Sequence, residues 1–247
     1  MKLSILILAA GQGKRMKNPD LPKVLCLLDG KPMLSYILDT VGKLQPEKTV
    51  VVAGYRREQV ISFLLANYPA AKICIQEEQL GTGHAVRQAE SLLKDYDGDI
   101  LILAGDVPLI TYKTLEDFFK AHTDGSSDLS VLSTTAEDPT GYGRIVRSAG
   151  GLFSRIVEQK DASETEKAIK EINSGIYLVK AKLLFMALSF VSNNNNQKEY
   201  YLTDIIGILR SAGAIVKAFN IGAYDELQGV NSVEDMKRAE EALLRKE

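Results

Sequence analysis

Residues 3–16 read Leu3-Ser4-Ile5-Leu6-Ile7-Leu8-Ala9-Ala10-Gly11-Gln12-Gly13-Lys14-Arg15-Met16. An unbroken apolar run empties into a glycine loop carrying two cations. The run is far shorter than the ~18 apolar residues of a membrane span, and it lacks the small-residue cleavage site of a secretory leader. It therefore predicts a buried strand over residues 4–8, with a ligand loop at its carboxyl end. Backbone N–H groups of such loops point at phosphates, and glycine lets the chain approach closely.

Two familiar phosphate loops are excluded by spacing. A Walker A loop needs Gly five residues before the Gly-Lys pair and Ser/Thr after it. Leu8 and Arg15 hold those places. A dinucleotide fingerprint needs a third Gly where this chain has Met16. The loop is nevertheless cationic. Lys14 and Arg15 are followed by Lys23 after Leu21-Pro22, a set that suits a polyphosphate, with bidentate contacts from Arg and point charge from Lys. Without a ligand the same residues would make a tight turn with solvated charges.

Outward from this loop, strands and helices alternate. Strands are predicted at 49–52, 72–76 and 99–104, and helices at 32–44, 57–67, 82–93 and 113–122. That order predicts an α/β, Rossmann-like fold: a mostly parallel mixed sheet with helices on both faces. The second half changes character. Runs at 129–135, 143–147 and 152–158 follow one another without a helix, with Gly150-Gly151 as a hairpin signal. They predict a small antiparallel β insertion covering one end of the sheet. A strand at 172–179, helices at 181–191 and 201–212, a strand at 215–219 and a charged helix at 232–246 complete the chain. The four asparagines at 193–196 read as a loop, either closing over a ligand or merely solvated. No linker divides the chain, and no hexapeptide or other repeat occurs in it. One domain over 1–247 is predicted, in three parts: 1–110, 111–230 and a terminal helix at 231–247.

Composition bounds the partners. The 247 residues are 45% hydrophobic and 25% charged, with 30 Lys+Arg against 32 Asp+Glu. This balance offers no bulk attraction to nucleic acid or to an anionic membrane. The chain reads as cytoplasmic. Cys26 and Cys74 are too few for a disulfide scaffold and read as reduced core residues. The only histidines are His84 and His122, so the sequence argues against zinc hydrolysis and a histidine triad.

Further segments come in order after the opening loop and Leu21-Pro22-Lys23. They are Gln76 with residues 79–85 (QLGTGHA), 105–109 (GDVPL), 138–145 (DPTGYGRI), 156–162 (IVEQKDA), 171–176 (EINSGI), 199–204 (EYYLTD) and 229–231 (GVN). Together they resemble the sugar-phosphate nucleotidyltransferase family, in particular its N-acetylglucosamine-1-phosphate uridylyltransferase domains, over residues 3 to about 240. Two departures stand near the phosphates: Lys14 replaces the family's usual Thr, and one extra residue falls within 17–21. The bifunctional members continue into a left-handed β-helix that acetylates glucosamine-1-phosphate. No such segment is read here: if residue 247 is the natural end, a separate acetyltransferase acting upstream is expected, and otherwise the acetylating half lies beyond it.

The resemblance implies uridylyl transfer from UTP to N-acetylglucosamine-1-phosphate, releasing pyrophosphate, with Mg²⁺ as cofactor. It assigns Arg15 and Lys23 to charge stabilisation on the phosphates. It makes 1–110 the nucleotide-binding half and 111–230 the sugar-binding half, and it places the nucleotide on Leu8, Ala9, Ala10, Gly11, Gly13, Arg15, Lys23, Gln76, Gly81 and Thr82. It places the sugar phosphate on Gly105, Asp106, Gly143, Glu158, Asn173 and Asn231, and the metal on Asp106 and Asn231. Gln79 is expected to shape the base loop, Tyr142 to form part of the sugar wall, and Arg144 to pair with a carboxylate. His84 reads as structural, because an anionic attacking phosphate needs no general base. The rival readings are the same chemistry on another hexose-1-phosphate or nucleotide, and a catalytically inactive nucleotide-binding subunit. A glycosyltransferase is disfavoured, because the fourth strand ends in Asp106-Val107-Pro108 and not in Asp-x-Asp.

Overall fold

The computed structural model describes residues 2–16, 18 and 20–245. In chain order the elements are β1 (Leu3–Ala9), a hairpin of β2 (Leu27–Leu28) and β3 (Lys31–Pro32), α1 (Met33–Gly42), β4 (Lys48–Ala53), α2 (Arg57–Asn67) and β5 (Lys72–Ile75). Next come α3 (Thr82–Arg87), α4 (Glu90–Leu93), β6 (Asp99–Ala104), α5 (Tyr112–Asp124), β7 (Leu129–Thr135), β8 (Arg144–Arg147), β9 (Phe153–Val157) and α6 (Glu164–Lys167). The last are β10 (Glu171–Lys180), α7 (Ala181–Leu188), α8 (Ile205–Ser211), β11 (Val216–Asn220), α9 (Tyr224–Leu227) and α10 (Val233–Leu244).

The central sheet runs β11-β7-β10-β6-β1-β4-β5. β6, β1, β4 and β5 are mutually parallel, and β10 is antiparallel to both β6 and β7. Strand alternation sends side chains to opposite faces, and each face is covered by helices. Ile5 and Ile7 of β1 pack with Leu34 and Ile37 of α1, Leu64 of α2 and Phe118 of α5. Leu6 faces the other way, into a core with Val86 of α3, Leu184 of α7 and Leu209 of α8. α5 starts where it does because the Thr111 hydroxyl accepts from the Thr114 N–H at 3.1 Å, an N-cap.

The parallel half follows the expected pattern, and the antiparallel part needs a correction. The run at 129–135 is not in an insertion. It is a buried strand of the central sheet, parallel to β11. It reads as part of a meander because no crossover helix comes after it, and the chain goes straight to β8. Within the central sheet the β8–β9 hairpin leaves the main path, pairing with β10 at Ile172–Arg144. The helix expected over 82–93 is two helices. Gln88 and Ala89 bond to carbonyls three residues back, a tightened 3₁₀ turn that breaks the α ladder. The segment at 201–212 likewise opens with a 3₁₀ turn, Leu202–Asp204. The terminal helix is capped by a reciprocal Ser232–Asp235 box. Residues 17 and 19, within the segment with the extra residue, and residues 246 and 247, at the end of the predicted terminal helix, lie outside the described residues.

A third, smaller core joins segments distant in sequence. Met16, Leu28, Met33, Leu109, Val230 and Ala239 pack together. This cluster pins the end of the glycine loop against Val230 and α10, on either side of residue 231.

Candidate functional site

Parallel sheets present ligand residues outside the carboxyl ends of their strands, where strand order reverses. Here the reversal falls between β1 and β6, since the chain moves from β1 outward to β4 and β5 and then returns to β6. The Gly105 N–H donates to the Leu8 carbonyl at 2.9 Å, which ties the two strand ends together. Two cavities open at this point, of about 880 and 480 Å³. Both are lined by Leu8, Thr82, Ala104 and Asp106.

At their junction Lys23 reaches across the cleft. Its ammonium pairs with Asp106 and also donates to Asn231 Oδ1 at 2.8 Å. Each partner is positioned by backbone. The Val230 N–H donates to the Asp106 carbonyl at 2.8 Å, which brings residue 231 beside residue 106 across a long stretch of sequence. Gly13 stands at φ +60°, and a Cβ there would lie 2.6 Å from the Lys23 Cβ. The glycine loop thus wraps the lysine stem, and only glycine fits that position.

Asp106 and Asn231 offer two hard oxygen donors that converge on one cation. That chemistry fits Mg²⁺, which takes few protein ligands and fills the rest of its octahedron with water and phosphate oxygens. The Lys23 ammonium marks where positive charge is accepted. No group of three or more His, Cys, Asp or Glu side chains suited to a metal occurs among the described residues.

The smaller cavity gathers Leu8, Ala9, Ala10, Gly11, Lys23, Gln76, Gly81 and Thr82, together with Gln12, Lys14, Gln79 and Glu199. Gln76 is 3% exposed. Its Nε2 donates to the Gly81 carbonyl at 3.1 Å and lies 3.1 Å from His84 Nδ1. Gln79 donates to the Gln76 carbonyl at 3.2 Å. Gly81 has φ +108°, and a Cβ there would sit 2.7 Å from the Tyr200 carbonyl. Residues 81–83 therefore press against 199–202, and the Thr82 hydroxyl accepts from the Leu202 N–H at 3.0 Å.

The larger cavity holds Asp106, Gly143, Glu158, Asn173 and Asn231. The Asn173 N–H donates to the Gly143 carbonyl at 2.9 Å, and Asn173 Nδ2 donates to the Tyr177 hydroxyl at 2.7 Å. The Thr203 hydroxyl donates to Glu158 at 3.1 Å. Burial pushes the Glu158 carboxyl above its ordinary range, and nearby Asp161, Asp204 and Glu199 push the same way. Burial likewise raises the Tyr177 phenol, which keeps it a neutral hydroxyl.

Of the sequence-predicted residues, Arg15 faces the larger cavity while its neighbour Lys14 faces the smaller one. Gly13 and Gly105 act through backbone packing. The Tyr142 hydroxyl accepts from the Gly229 N–H at 3.2 Å, so this side chain braces the segment before Asn231. Among the described residues Arg144 makes no ion pair with a carboxylate, which corrects the expectation. It is 1% exposed, and its guanidinium donates to the Tyr142 carbonyl, to Gln159 Oε1 at 2.7 Å and to the Lys167 carbonyl at 3.4 Å. A fixed planar fork satisfies several carbonyls on one lip of the cavity. The asparagine loop is bonded to that lip: Asn196 donates to Asp161 Oδ1 at 3.1 Å and to the Lys160 carbonyl at 2.9 Å. Cys26 and Cys74 are buried free thiols, which burial pushes up in pKa. No helix among the described residues is long and apolar enough to cross a membrane.

A family model described as nucleotidyl transferase matches residues 4–224. The chain belongs to the nucleotidyl transferase family. Among curated members it is similar to the bifunctional protein GlmU of Geobacillus thermodenitrificans, 47% identical over 231 residues that make up 94% of this chain and 50% of that protein. It is also similar to GlmU of Latilactobacillus sakei, 46% identical over 92% of this chain and 48% of that one. The chain thus spans about half the length of these relatives. A crystal structure of UDP-glucose pyrophosphorylase complexed with UDP-glucose superposes with a TM-score of 0.75 at 19% identity, covering all of both chains. HddC from Yersinia pseudotuberculosis superposes at 0.70 and 21%, covering 97% of this chain and 99% of that one. At those identities the likeness establishes the fold, a nucleotidyl transferase sheet with helices on both faces.

Several cavity residues carry no role in the sequence reading. Tyr177, Thr203 and Arg238 line the larger cavity and Glu199 the smaller. Thr203 and Glu199 lie in the quoted 199–204 segment, and motif position alone would have found them. Tyr177 reads as an ordinary strand residue, and only its bond to Asn173 distinguishes it.

Proposed function

We propose that this nucleotidyl transferase moves a uridylyl group from UTP to N-acetylglucosamine-1-phosphate, giving UDP-N-acetylglucosamine and pyrophosphate. The observation that carries the proposal is the meeting of Lys23, Asp106 and Asn231 at the junction of two cavities, in a chain about 46% identical to GlmU proteins over most of its length. Residues 1–110 supply most of the nucleotide side and 111–230 the sugar side, with Asn231 joining from the segment at 231–247.

In this reading a phosphate oxygen of the sugar-1-phosphate attacks the α-phosphorus of UTP. The new P–O bond forms as the bond to the bridging oxygen of the β-phosphate breaks, and pyrophosphate leaves with that electron pair. The nucleophile is already anionic, so no general base is required. Catalysis is positioning and charge stabilisation. Lys23 stabilises charge on the α-phosphate. Arg15 holds the departing pyrophosphate, and the backbone of residues 9–13 cradles the triphosphate. Glu158, Asn173 and Gly143 orient the amino sugar. Asp106 and Asn231 would hold Mg²⁺, which neutralises charge and lets two anions approach.

Pyrophosphate release from UTP and N-acetylglucosamine-1-phosphate, with and without Mg²⁺, tests the proposal. Metal-dependent release that collapses in Asp106→Ala is the expected result. Silence with this pair, and turnover with another sugar phosphate or nucleotide, would replace the substrate assignment. Silence across a panel of both would favour an inactive nucleotide-binding subunit.

A further inference from the structure

Gln76 sits in the wall of the smaller cavity with its amide nitrogen turned inward. An amide nitrogen carries two hydrogens. Here two acceptors face it, the Gly81 carbonyl and His84 Nδ1, each at 3.1 Å. The amide oxygen, Oε1, has no protein partner among the described residues. It is not among the fully enclosed polar atoms that lack one, so it is reached from the cavity that Gln76 lines.

His84 faces a second amide. Gln88 Nε2 lies 3.1 Å from His84 Nε2 and donates to the His84 carbonyl at 2.9 Å. A neutral imidazole accepts at one nitrogen and donates from the other, so one of the two amides must turn its oxygen to the ring. Turning Gln76 would press its oxygen against the Gly81 carbonyl in a nearly dry pocket. Turning Gln88 likewise sets its oxygen beside the His84 carbonyl, but Gln88 is only half-buried, so it can shift away and leave that carbonyl and its own nitrogen to water. The ring therefore carries its proton on Nε2 and accepts at Nδ1. Tyr200, with its ring centroid 6.3 Å away, packs beside it.

We propose that His84 is a positioning residue for base selection. With the Gly81 carbonyl it clamps Gln76 so that only an acceptor oxygen faces the nucleobase. The site then takes a pyrimidine with an N–H between two carbonyls, the edge shared by uracil and thymine. It rejects cytosine, whose ring nitrogen at that place is itself an acceptor. The proposal deepens the uridylyl reading above and rests on it.

The tautomer is tested first on the unmodified protein, without nucleotide, by ¹⁵N NMR of the two histidines; signals lost in His84→Asn give the assignment. An Nε2–H ring is expected, and an Nδ1–H ring overturns the clamp. Next, kcat/KM is measured for UTP and CTP in His84→Leu and His84→Asn. Leucine removes one of the two acceptors, so the UTP preference should fall about fivefold, the worth of one hydrogen bond. Asparagine places an oxygen near the Nδ1 position and should restore it. In a Gln76→Ala background His84→Leu should change the ratio no further. Equal losses for UTP and CTP in His84→Leu would mean a structural role and overturn the proposal. An unmodified enzyme that prefers a purine nucleotide would instead overturn the uridylyl reading, while the NMR result still reports on the clamp.

Discussion

The two cavities are built differently. The smaller is largely local: residues 8–12 supply backbone from a single loop, and 76–85 supply a second short stretch. The larger draws side chains from β6, the 137–143 loop, β10, the 202–203 turn and α10. A phosphate cradle needs N–H groups and cations, which a loop of five or six residues can provide. A sugar site needs hydroxyl and amide partners from several directions, and these arrive on different elements. The junction between them, Lys23 with Asp106 and Asn231, belongs to both kinds. Its lysine comes just after the local loop, and its two partners are brought by the sheet and the third core.

Changes at the junction should have the largest effect. Lys23→Met and Asp106→Asn are each expected to lower kcat by about 10²–10³, the usual loss for one preorganised charge contact. The contrast sharpens if manganese binding is followed by EPR without nucleotide. Lys23→Met should bind Mn²⁺ more tightly than the parent, because the ammonium no longer competes for Asp106 and Asn231. Arg15→Met, which removes a charge from the cleft without touching those oxygens, should change it less. Equal tightening in both would reduce the junction to bulk electrostatics.

Substitutions in the larger cavity should act on one substrate only. Asn173→Ala removes the bond to Tyr177 and the Asn173 Oδ1 contact to the Gly175 N–H at 3.0 Å. It is expected to raise KM for the sugar phosphate by about tenfold, the worth of one or two hydrogen bonds, and to leave KM for UTP near its parent value. A matching rise in both constants would break the division between the cavities.

Gly13→Ala tests the local loop. A left-handed alanine costs about 1–2 kcal/mol, before any contact with the Lys23 stem is counted. Thermal unfolding should register that loss, and turnover should fall as Lys23 is displaced. A variant as stable and active as the parent would show that the loop does not hold the lysine.

The smallest effect concerns pH. The folded chain favours protonated Glu158, since its pKa is raised by burial. For such a carboxyl the favourable contribution is full below the ordinary value of about 4.3 and is lost as pH rises through the raised one. Glu158→Gln should therefore be more heat-stable than the parent at neutral pH, with the gain shrinking as pH falls toward about 4. A gain that grows on acidification would contradict the sign.

Local patterns make most of the first half legible. The helix at Arg57–Asn67 and the strand at Asp99–Ala104 fall where the alternation of strands and helices along the sequence places them, because parallel units repeat one simple rule. Apolar spacing predicts one helix over 82–93 because it does not report a 3₁₀ break. Charge suggests an anionic partner for Arg144, whereas buried carbonyls also satisfy a guanidinium. The run at 129–135 reads as an insertion because strand type is local and strand neighbours are not.

By itself the sequence determined the α/β class, the glycine loop that is neither Walker A nor a dinucleotide fingerprint, and the order of motifs that marks the family. Those come from short-range spacing and side-chain chemistry. Only the tertiary structure decided that β10 runs against its neighbours, that Val230 bonds to Asp106 and so delivers Asn231, and that Gln76 turns its nitrogen away from the cleft. Each depends on groups far apart in the chain competing for the same buried partners, and no local pattern records that competition.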